Sequence, residues 1–351
     1  MTMRVWVWPF WLGKTAATIA AFLACFTLGV ANAAAEATRY PLTIQNCGLS
    51  VTFDKAPQRV VSIGQSSTEI LLSLGLADRI AGTAVWFGPV LPRFATENAR
   101  IKRLADNDPS FESVVAREPE LVTAQYEWHV GPNGSVGTRE QFSKLKIPTY
   151  ISPADCVEKD NSGGGDGVRK QMFGMDLVYQ EIRELAEIFG VADRGEALVA
   201  GLRQREADAI AAVAGSKARD VSVVFWFSSK DVKGDAFVAG KNGPPAYILK
   251  ALGARNVITT AEEWPLVSWE SIVAADPSVI VIARMDRRRF PADDPAVKLH
   301  FLQTDPVVGA LKAVRDKHVV VMDAQSMNPS IRTIDGIEDL ANGIKAFGAA
   351  D

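Results

Sequence analysis

Apolar residues recur along the chain with two different spacings. A spacing of two residues predicts β-strands, and a spacing of three or four residues predicts α-helices. The stretch 40–53 alternates with a period of two around Asn46-Cys47-Gly48, which predicts a β-hairpin. Short apolar runs predict strands at 59–64, 80–85, 121–124, 147–151, 221–226, 279–283 and 319–322. Apolar residues three and four apart predict helices at 67–76, 111–117, 138–145, 245–252, 269–275, 307–314 and 335–347. Strands that alternate with helices predict an α/β fold.

The middle of the chain divides this pattern into two halves. Residues 152–175, with a Gly-rich centre at 163–167, predict a long surface loop. Helices predicted at 176–189 and 193–213 follow and make a stiff spine rather than a flexible linker. We therefore predict an N-terminal α/β lobe at 34–175, linker helices at 176–216 and a C-terminal α/β lobe at 217–351.

The beginning of the chain has the pattern of a secretory signal peptide. Arg4 and Lys14 are the only charges before Glu36, residues 15–30 are apolar, and Ala31-Asn32-Ala33 has the small-x-small form of a cleavage site. We predict a signal peptide at 1–33 and a periplasmic protein. A membrane anchor is the alternative, but the apolar run is shorter than a span requires. Lipidation at Cys25 is another alternative.

Composition and charge exclude several classes of protein. The 351 residues carry a net charge of −3, which offers no basic field for a nucleic acid, and 48% are apolar, which excludes general disorder. Three cysteines and three histidines are too few for a Cys-rich zinc module. If Cys25 leaves with the signal peptide, Cys47 and Cys156 remain and predict one disulfide, with two buried thiols as the alternative.

Motifs typical of enzymes are absent from the sequence. It contains no Gly-x-Ser-x-Gly, phosphate loop or His-Glu-x-x-His, so we expect a binding protein. A secreted enzyme that acts in a cleft between the two lobes is the competing class. We expect neither a resident cofactor nor a protein-bound metal ion.

One segment occurs twice, at an offset of 158 residues. Residues 110–122 match 268–280, and in each copy a serine precedes a short helix and a proline precedes a strand. Glu112 and Glu270 occupy the first turns of these helices. A favourable contact with the helix dipole explains each glutamate alone, but not why both halves present an acid at the same place.

The sequence resembles the class III periplasmic substrate-binding proteins of ABC transporters that import iron-siderophores, haem and cobalamin. The resemblance rests on 57–75, 111–122, 145–150, 267–272 and 310–322, together with the helix that begins at Asp193. It implies two Rossmann-like lobes joined by a long rigid helix, a ligand cleft between them, and a monomer. It also implies that Glu112 and Glu270 dock on arginines of a permease dimer that works with an ATPase.

Ligands of open α/β sheets lie beyond the carboxyl ends of the strands. Applied here, this rule predicts the ligand-binding residues Gln65, Ser66, Trp86, Tyr126, Trp128, His129, Trp226, Arg284 and Arg332. Aromatic rings stack on large rings and arginines bind carboxylates, so we expect an anionic metal chelate, a ferric siderophore first, with haem or cobalamin as alternatives.

Two parts of this prediction have alternatives. His129 is a candidate ligand of haem iron, alone or with Tyr126, and a hydrogen-bonded loop histidine is its alternative interpretation. The run Arg287-Arg288-Arg289 is interpreted as a solvated charge run rather than as part of the site.

Overall fold

The computed structural model describes residues 37–163, 166–214 and 221–348. Its strands are β1 (Leu42–Asn46), β2 (Leu49–Phe53), β3 (Val60–Ile63), β4 (Ile80–Ala84), β5 (Arg103–Ala105), β6 (Leu121–Ala124), β7 (Thr149–Ile151), β8 (Lys159–Asp160), β9 (Val168–Arg169), β10 (Ser222–Ser229), β11 (Ala236–Val238), β12 (Arg255–Asn256), β13 (Leu266–Val267), β14 (Val279–Arg284) and β15 (Val319–Asp323). Its α-helices are α1 (Gln65–Ser73), α2 (Ala95–Asn98), α3 (Phe111–Val115), α4 (Glu127–Val130), α5 (Arg139–Lys144), α6 (Asp176–Ile188), α7 (Ala192–Ala212), α8 (Pro244–Leu252), α9 (Trp269–Ala275), α10 (Pro295–Thr304), α11 (Lys312–Arg315) and α12 (Thr333–Gly348).

The first lobe, which we define as β3–β7 with α1–α5, is built on a parallel sheet. Its strand order is β5-β4-β3-β6-β7, and each neighbouring pair is parallel. All residues of β3 and β6 are buried, because helices cover both faces of a parallel sheet. Because β3 and β6 are parallel, their carboxyl ends lie at the same edge of the sheet, which is where the site lies.

The second lobe, which we define as β10–β15 with α8–α12, is built on a mixed sheet. The order is β13-β11-β10-β14-β15, with β12 paired to β10. Strands β10, β14 and β15 are parallel neighbours, whereas β11 and β13 run antiparallel at one edge. Both sheets and the helices between them belong to one structural unit.

Helices α6 and α7 form the spine between the sheets. Tyr150 at the end of the first sheet donates a hydrogen bond to Glu184 of α6 (2.7 Å). Arg205 of α7 binds Glu338 and Asp335 of α12 through hydrogen bonds of 2.6–2.9 Å. Helix α6 is thus fixed to the first lobe, whereas α7 contacts both lobes, because its Arg194 also donates to the carbonyl of Leu74 (2.9 Å). The predicted domain boundaries stay predictions.

The amino-terminal hairpin β1–β2 is attached to the first lobe twice. Asn46 exchanges two hydrogen bonds with Ile151 of β7 (2.8 and 2.9 Å). The predicted disulfide between Cys47 and Cys156 is present, with the two Cα atoms 5.6 Å apart. The turn of the hairpin is therefore held beside the start of the 152–175 segment.

The structure corrects two predicted elements. The helix expected at 307–314 is a 3₁₀ turn (Val308–Ala310) followed by α11, because Leu311 is extended (ψ 141°) and interrupts it. The 152–175 segment is not wholly a surface loop: it contains the short hairpin β8–β9, and Val168 forms a bridge with Glu262 of the second lobe.

The predicted signal peptide at 1–33 and Cys25 lie outside the described residues, as does part of the Gly-rich centre at 163–167. Across the described ranges, no helix combines the length and the apolar character that crossing a membrane requires.

Candidate functional site

A cavity of about 320 Å³ lies between the lobes, at the edge where the strands end. Its volume is at the lower end of the range of roughly 300–1,000 Å³ that small-molecule sites occupy. We call it the cleft. It is lined by Val85, Phe87, Asp108, Tyr126, Trp128, Lys159, Asp166, Phe227, Ser228, Phe237, Glu263, Trp264, Met285, Arg287, Arg289, Phe290, Asp293 and Asn328.

Two aromatic pairs, one from each lobe, line the cleft. The rings of Tyr126 and Trp128 are stacked with centroids 4.6 Å apart and an interplanar angle of 18°. The rings of Phe227 and Trp264 lie 4.5 Å apart at 33°. Trp128 keeps 41% of its surface exposed. Both walls of the cleft thus offer aromatic surface to a ligand.

The first aromatic pair is held by a tight turn between β3 and α1. Gly64 has φ 128°, and a Cβ atom at this position would lie 2.3 Å from Cβ of Gln125, so only glycine permits this approach. Gln125 donates to the hydroxyl of Tyr126 (3.1 Å) and accepts from Gln325 of the second lobe (3.2 Å). The turn therefore positions the stacking surface and also joins the lobes.

Arg287 joins the lobes at the other side of the cleft. Its guanidinium lies 4.7 Å from the ring centroid of Phe87 and donates to Oδ1 of Asn107 (2.5 Å). Its backbone N–H donates to the carbonyl of Phe87 (3.1 Å). Burial lowers the pKa of Arg287, but a guanidinium remains charged at neutral pH.

Charges in the cleft wall nearly balance. Among the described residues that line it, Lys159, Arg287 and Arg289 are basic, and Asp108, Asp166, Glu263 and Asp293 are acidic. Lys159 is buried, contacts Asp155, and lies 3.5 Å from Glu263. The cleft therefore does not have the excess of positive charge that a strongly anionic ligand requires.

Of the two candidate metal ligands, Tyr126 lines the cleft and His129 lies behind its wall. His129 is fully buried, with Nε2 3.3 Å from Oδ1 of Asp108, and this contact lowers the pKa of that carboxyl. Burial raises the pKa of the Tyr126 phenol well above its ordinary value. No group of three or more potential metal ligands occurs among the described residues.

A family profile described as periplasmic binding protein matches residues 60–326. The chain belongs to the periplasmic binding protein family. The two-lobed fold and the family inferred from the sequence are confirmed by this match and by the solved structures below.

Curated relatives of this periplasmic binding protein include ABC transporter components. It is 24% identical over 307 residues to the uncharacterized ABC transporter substrate-binding lipoprotein YvrC of Bacillus subtilis, covering 87% of this chain and 86% of the relative. It is 23% identical over 315 residues to the cobalamin-binding protein of Halobacterium salinarum, covering 88% and 75%.

Solved structures with this fold cover nearly the same span. A protein of an ABC-type Fe³⁺-hydroxamate transport system from Saccharomonospora viridis is 26% identical, with a TM-score of 0.68, and the match covers 87% of this chain and 99% of that one. A periplasmic binding protein from Veillonella parvula is 25% identical, with a TM-score of 0.69, covering 87% and 97%.

In this periplasmic binding protein, Tyr126 and Trp128 are the predicted ligand contacts that line the cleft. His129 does not line it, because residues 127–130 form α4 instead of a loop and the imidazole is buried. His129 is therefore neither a cleft residue nor the hydrogen-bonded loop histidine of the alternative interpretation, but a buried helical residue whose imidazole lies beside Asp108.

Three predicted contacts support the cleft from behind. Gln65 is buried, accepts from the backbone N–H groups of Phe87 and Gly88 (3.0 and 3.2 Å), and so positions Phe87. Ser66 is buried, and its N–H donates to Gln125 (3.0 Å). Trp86 is 2% exposed and is covered by the guanidinium of Arg103. Their side chains do not reach the ligand space because they pack beneath it.

Trp226 is a core residue of the second lobe. It is fully buried, packs against Trp269 with ring centroids 4.8 Å apart, and donates to Ser229 (2.8 Å). The prediction placed it at a strand end, but β10 continues to Ser229. Since successive side chains of a strand point to opposite faces, Phe227 lines the cleft instead.

The two predicted arginines lie outside the cleft. Arg284 and Arg332 line a neighbouring cavity of about 220 Å³. Arg332 binds Glu69 of α1 (Nε–Oε2 2.8 Å) and the carbonyl of Pro89 (2.7 Å), so it is a contact between the lobes. Arg284 lies 3.9 Å from Asp323 and is mostly exposed.

The arginine run is solvated only in part, since Arg288 and Arg289 are exposed and Arg287 is half-buried. Arg287 and Arg289 belong to the lining, whereas Arg288 pairs with Asp294 (2.6 Å). Their place directly after β14 was the available signal. The sequence offers no such signal for Trp264, because this residue lies in a loop before an edge strand of two residues.

The repeated glutamates are both exposed. Glu112 lies in the first turn of α3 and Glu270 in the first turn of α9. Ser110 and Ser268 cap these helices through the backbone N–H of the residue three positions later (3.1 and 3.3 Å). Each lobe thus presents one exposed carboxylate in the same local structure, the first turn of a serine-capped helix.

Proposed function

We propose that this protein captures a metal chelate in the cleft outside the cytoplasm and delivers it to the permease of an ABC importer. The observation that carries the proposal is the pair of aromatic walls, Tyr126–Trp128 and Phe227–Trp264, one from each lobe, around a single cavity. Such walls suit a ligand that is clamped between lobes through its apolar or ring surface. Export by a signal peptide cleaved after Ala33 belongs to the same proposal.

The chelate is one whose metal is already fully coordinated. The described part of the chain offers no metal-ligating cluster, and His129 is buried behind the wall. Haem iron is held by an axial side chain in most proteins, which these residues do not favour. Ferric siderophores and cobalamin enclose their metal without a protein ligand.

A neutral ferric hydroxamate siderophore is the first candidate. The near balance of charge in the lining disfavours a tricatecholate, which carries three negative charges, and suits a tris-hydroxamate, which carries none. The Saccharomonospora viridis structure, named for Fe³⁺-hydroxamate transport, is similar over most of this chain.

Cobalamin is the second candidate. Its flat corrin ring matches the two aromatic pairs, and two of the similar proteins, from Halobacterium salinarum and Vibrio parahaemolyticus, are named for binding cobalamin or vitamin B12.

We further propose that Glu112 and Glu270 dock on arginines of the permease. A two-lobed binder that meets a two-fold permease dimer needs equivalent contacts from both lobes, and a carboxylate paired with an arginine supplies them. Both side chains are exposed and lie in matching caps, which supports this role.

Tryptophan fluorescence tests the ligand proposal, since Trp128 and Trp264 line the cleft. The exported protein is titrated with ferrioxamine, ferrichrome, a ferric tricatecholate, cyanocobalamin and hemin, and with each siderophore free of iron as its control. We expect saturable one-to-one quenching by a ferric hydroxamate, and weaker or no quenching by the tricatecholate. Quenching by none of these chelates, or preferential binding of the tricatecholate, contradicts the proposal.

A further inference from the structure

A second cavity of about 940 Å³ adjoins the cleft. Trp128 and Lys159 line both, so the two spaces meet at these side chains. We call the second space the disulfide groove, because Cys47 and Cys156 form part of its wall. Its other lining residues are Gly48, Glu127, Pro132, Asn133, Asp155, Val157, Asp160, Asn161, Ser162 and Lys170.

Trp128 is the divider between the two spaces. Its ring is stacked on Tyr126 and meets the ring of His129 edge-on, with centroids 5.2 Å apart. These two contacts hold the indole in one orientation, and 41% of the residue stays exposed. A ligand that stacks on this ring in the cleft has the groove directly beside it.

The two spaces differ in chemistry. The cleft is rich in aromatic side chains, whereas amide, hydroxyl and charged groups line most of the groove. Part of the groove wall is already ordered: Asn161 donates to Glu127 Oε2 (2.6 Å) and to the carbonyl of Asp155 (2.7 Å). Asn133 and Lys170 are exposed at the groove surface.

The disulfide groove has a fixed shape. The disulfide joins the β1–β2 turn to the residue that follows the 3₁₀ turn Pro153–Asp155, and Asn46 binds Ile151 beside it. A wall that is ordered before binding loses little conformational freedom when a ligand arrives. The disulfide and this hydrogen bond therefore restrain one wall of the groove.

The sizes of the two cavities are complementary. The cleft of about 320 Å³ is small for a metal chelate, because this volume is near the minimum for much smaller ligands. The part of the chelate beyond its metal core must leave the cleft, and the groove of about 940 Å³ opens beside it.

We propose that the disulfide groove is a second subsite, which binds a polar, amide-bearing appendage of the chelate while its metal core stacks on Trp128. This inference rests on the proposed function. It makes Asn133 and Lys170 specificity-determining residues: each gives hydrogen bonds to the appendage and none to the core.

Two pairs of probes with and without an appendage test the subsite. Chromium(III) desferriferrichrome and chromium(III) tris(acetohydroxamate) share an inert tris-hydroxamate core, but the first carries a cyclic peptide. Cyanocobalamin and dicyanocobinamide share the corrin ring, but the first carries a nucleotide appendage. We measure their affinities by titration calorimetry for the wild type, Asn133→Ala, Lys170→Ala and Trp128→Ala. The control is Lys250→Ala, which changes an exposed lysine of α8.

We expect the wild type to bind the appendage-bearing member of a pair at least about tenfold more tightly than the bare core. Asn133→Ala and Lys170→Ala should each weaken that member by about three- to tenfold, the effect of a lost hydrogen bond, and leave the bare core unchanged. Trp128→Ala should weaken both members, and Lys250→Ala neither.

The subsite proposal is contradicted if both members of a pair bind equally tightly and if Asn133→Ala and Lys170→Ala leave these affinities unchanged. This result leaves the proposed function intact. Groove variants that weaken both members equally also contradict the subsite proposal, because that result indicates a structural effect. If neither member of either pair binds, the proposed function is contradicted and the subsite with it.

Discussion

Glu181 of α6 is a carboxylic acid buried behind the cleft. It accepts hydrogen bonds from Ser67 (2.7 Å) and Ser152 (2.5 Å). Burial raises its pKa from 4.5 to about 7, because removing the carboxylate from water disfavours its charged form more than the two serines favour it. At neutral pH this residue therefore titrates within the folded protein.

The first prediction concerns this titration. A folded-state pKa above the unfolded value means that the native state holds the proton more tightly, so the stabilisation is complete below about pH 4.5 and is lost as pH rises through about 7. Between pH 4.5 and 8, this titration should lower the free energy of unfolding of the wild type by about 3 kcal/mol. Glu181→Gln should not show this fall.

Urea unfolding of the wild type and Glu181→Gln at several pH values measures this difference. Ser73→Ala, which removes a half-buried hydroxyl of α1 that does not titrate, is the control. If the difference in unfolding free energy between wild type and Glu181→Gln is the same at pH 5 and pH 8, Glu181 does not have a raised pKa.

At the scale of single residues, the sequence predicted part of the site. Tyr126 and Trp128 follow a strand whose end was placed correctly, at Ala124. Trp226 was misplaced because β10 runs three residues beyond the strand end predicted at residue 226, and one strand position decides between core and cleft. The position of Trp264 in the cleft wall depends on the packing of an edge strand, which the local sequence pattern does not predict.

At the scale of elements, the strongly periodic segments were predicted well. The hairpin, the longer parallel strands and the helices α6, α7, α8 and α9 occur within a few residues of their predicted places, whereas the short parallel strands β5 and β12 were not predicted. Helix α10 was missed because it has no single apolar stripe: Lys298 faces the interior, where it donates to the carbonyl of Phe227 (2.6 Å). Burial also lowers the pKa of Lys298 to about 8.

The second prediction concerns the disulfide between the hairpin and the 152–175 segment. Cys47 and Cys156 are 109 residues apart, and a cross-link over a loop of this length restricts the unfolded chain strongly. We expect Cys47→Ser/Cys156→Ser to lower the free energy of unfolding by about 2–4 kcal/mol.

Urea unfolding without reductant measures the loss. The wild type unfolded in the presence of reductant is the matched control and should approach the variant. Two free thiols in the denatured, unreduced wild type, or equal stability of wild type and variant, would contradict the disulfide.

At the scale of the whole molecule, several contacts cross between the lobes. Arg332 binds Glu69, Gln325 donates to Gln125, and the backbone of Arg287 donates to Phe87. The 152–175 segment adds Arg169, whose Nε lies 3.1 Å from Glu263 Oε2. Buried pairs of this kind fix geometry more than they add stability. These contacts hold the two walls of the cleft against each other.

The third prediction concerns docking. Glu112→Ala and Glu270→Ala should leave ligand affinity nearly unchanged and lower stability by no more than about 1 kcal/mol each, the worth of a helix-dipole contact. Ligand-stimulated ATP hydrolysis by the reconstituted permease should fall for each variant and further for the double variant.

Asp193→Ala is the matched control, because Asp193 is also an exposed acid in a first helical turn, that of α7. Full stimulation by the double variant would show that both glutamates act only through their contact with the helix dipole, and it would contradict the docking proposal.

We propose that one chelate is held between both lobes, and paired titrations of two cleft variants test this proposal. Trp128→Ala removes aromatic surface from the first lobe and Trp264→Ala from the second, while Phe94→Ala removes a half-buried ring outside the cleft. With the chelate that quenches the wild type, calorimetry should give one site per chain. Both tryptophan variants should bind at least about fivefold more weakly, since a stacking contact is worth about 1 kcal/mol, and Phe94→Ala should bind normally. Unchanged affinity in either tryptophan variant would contradict binding between the lobes.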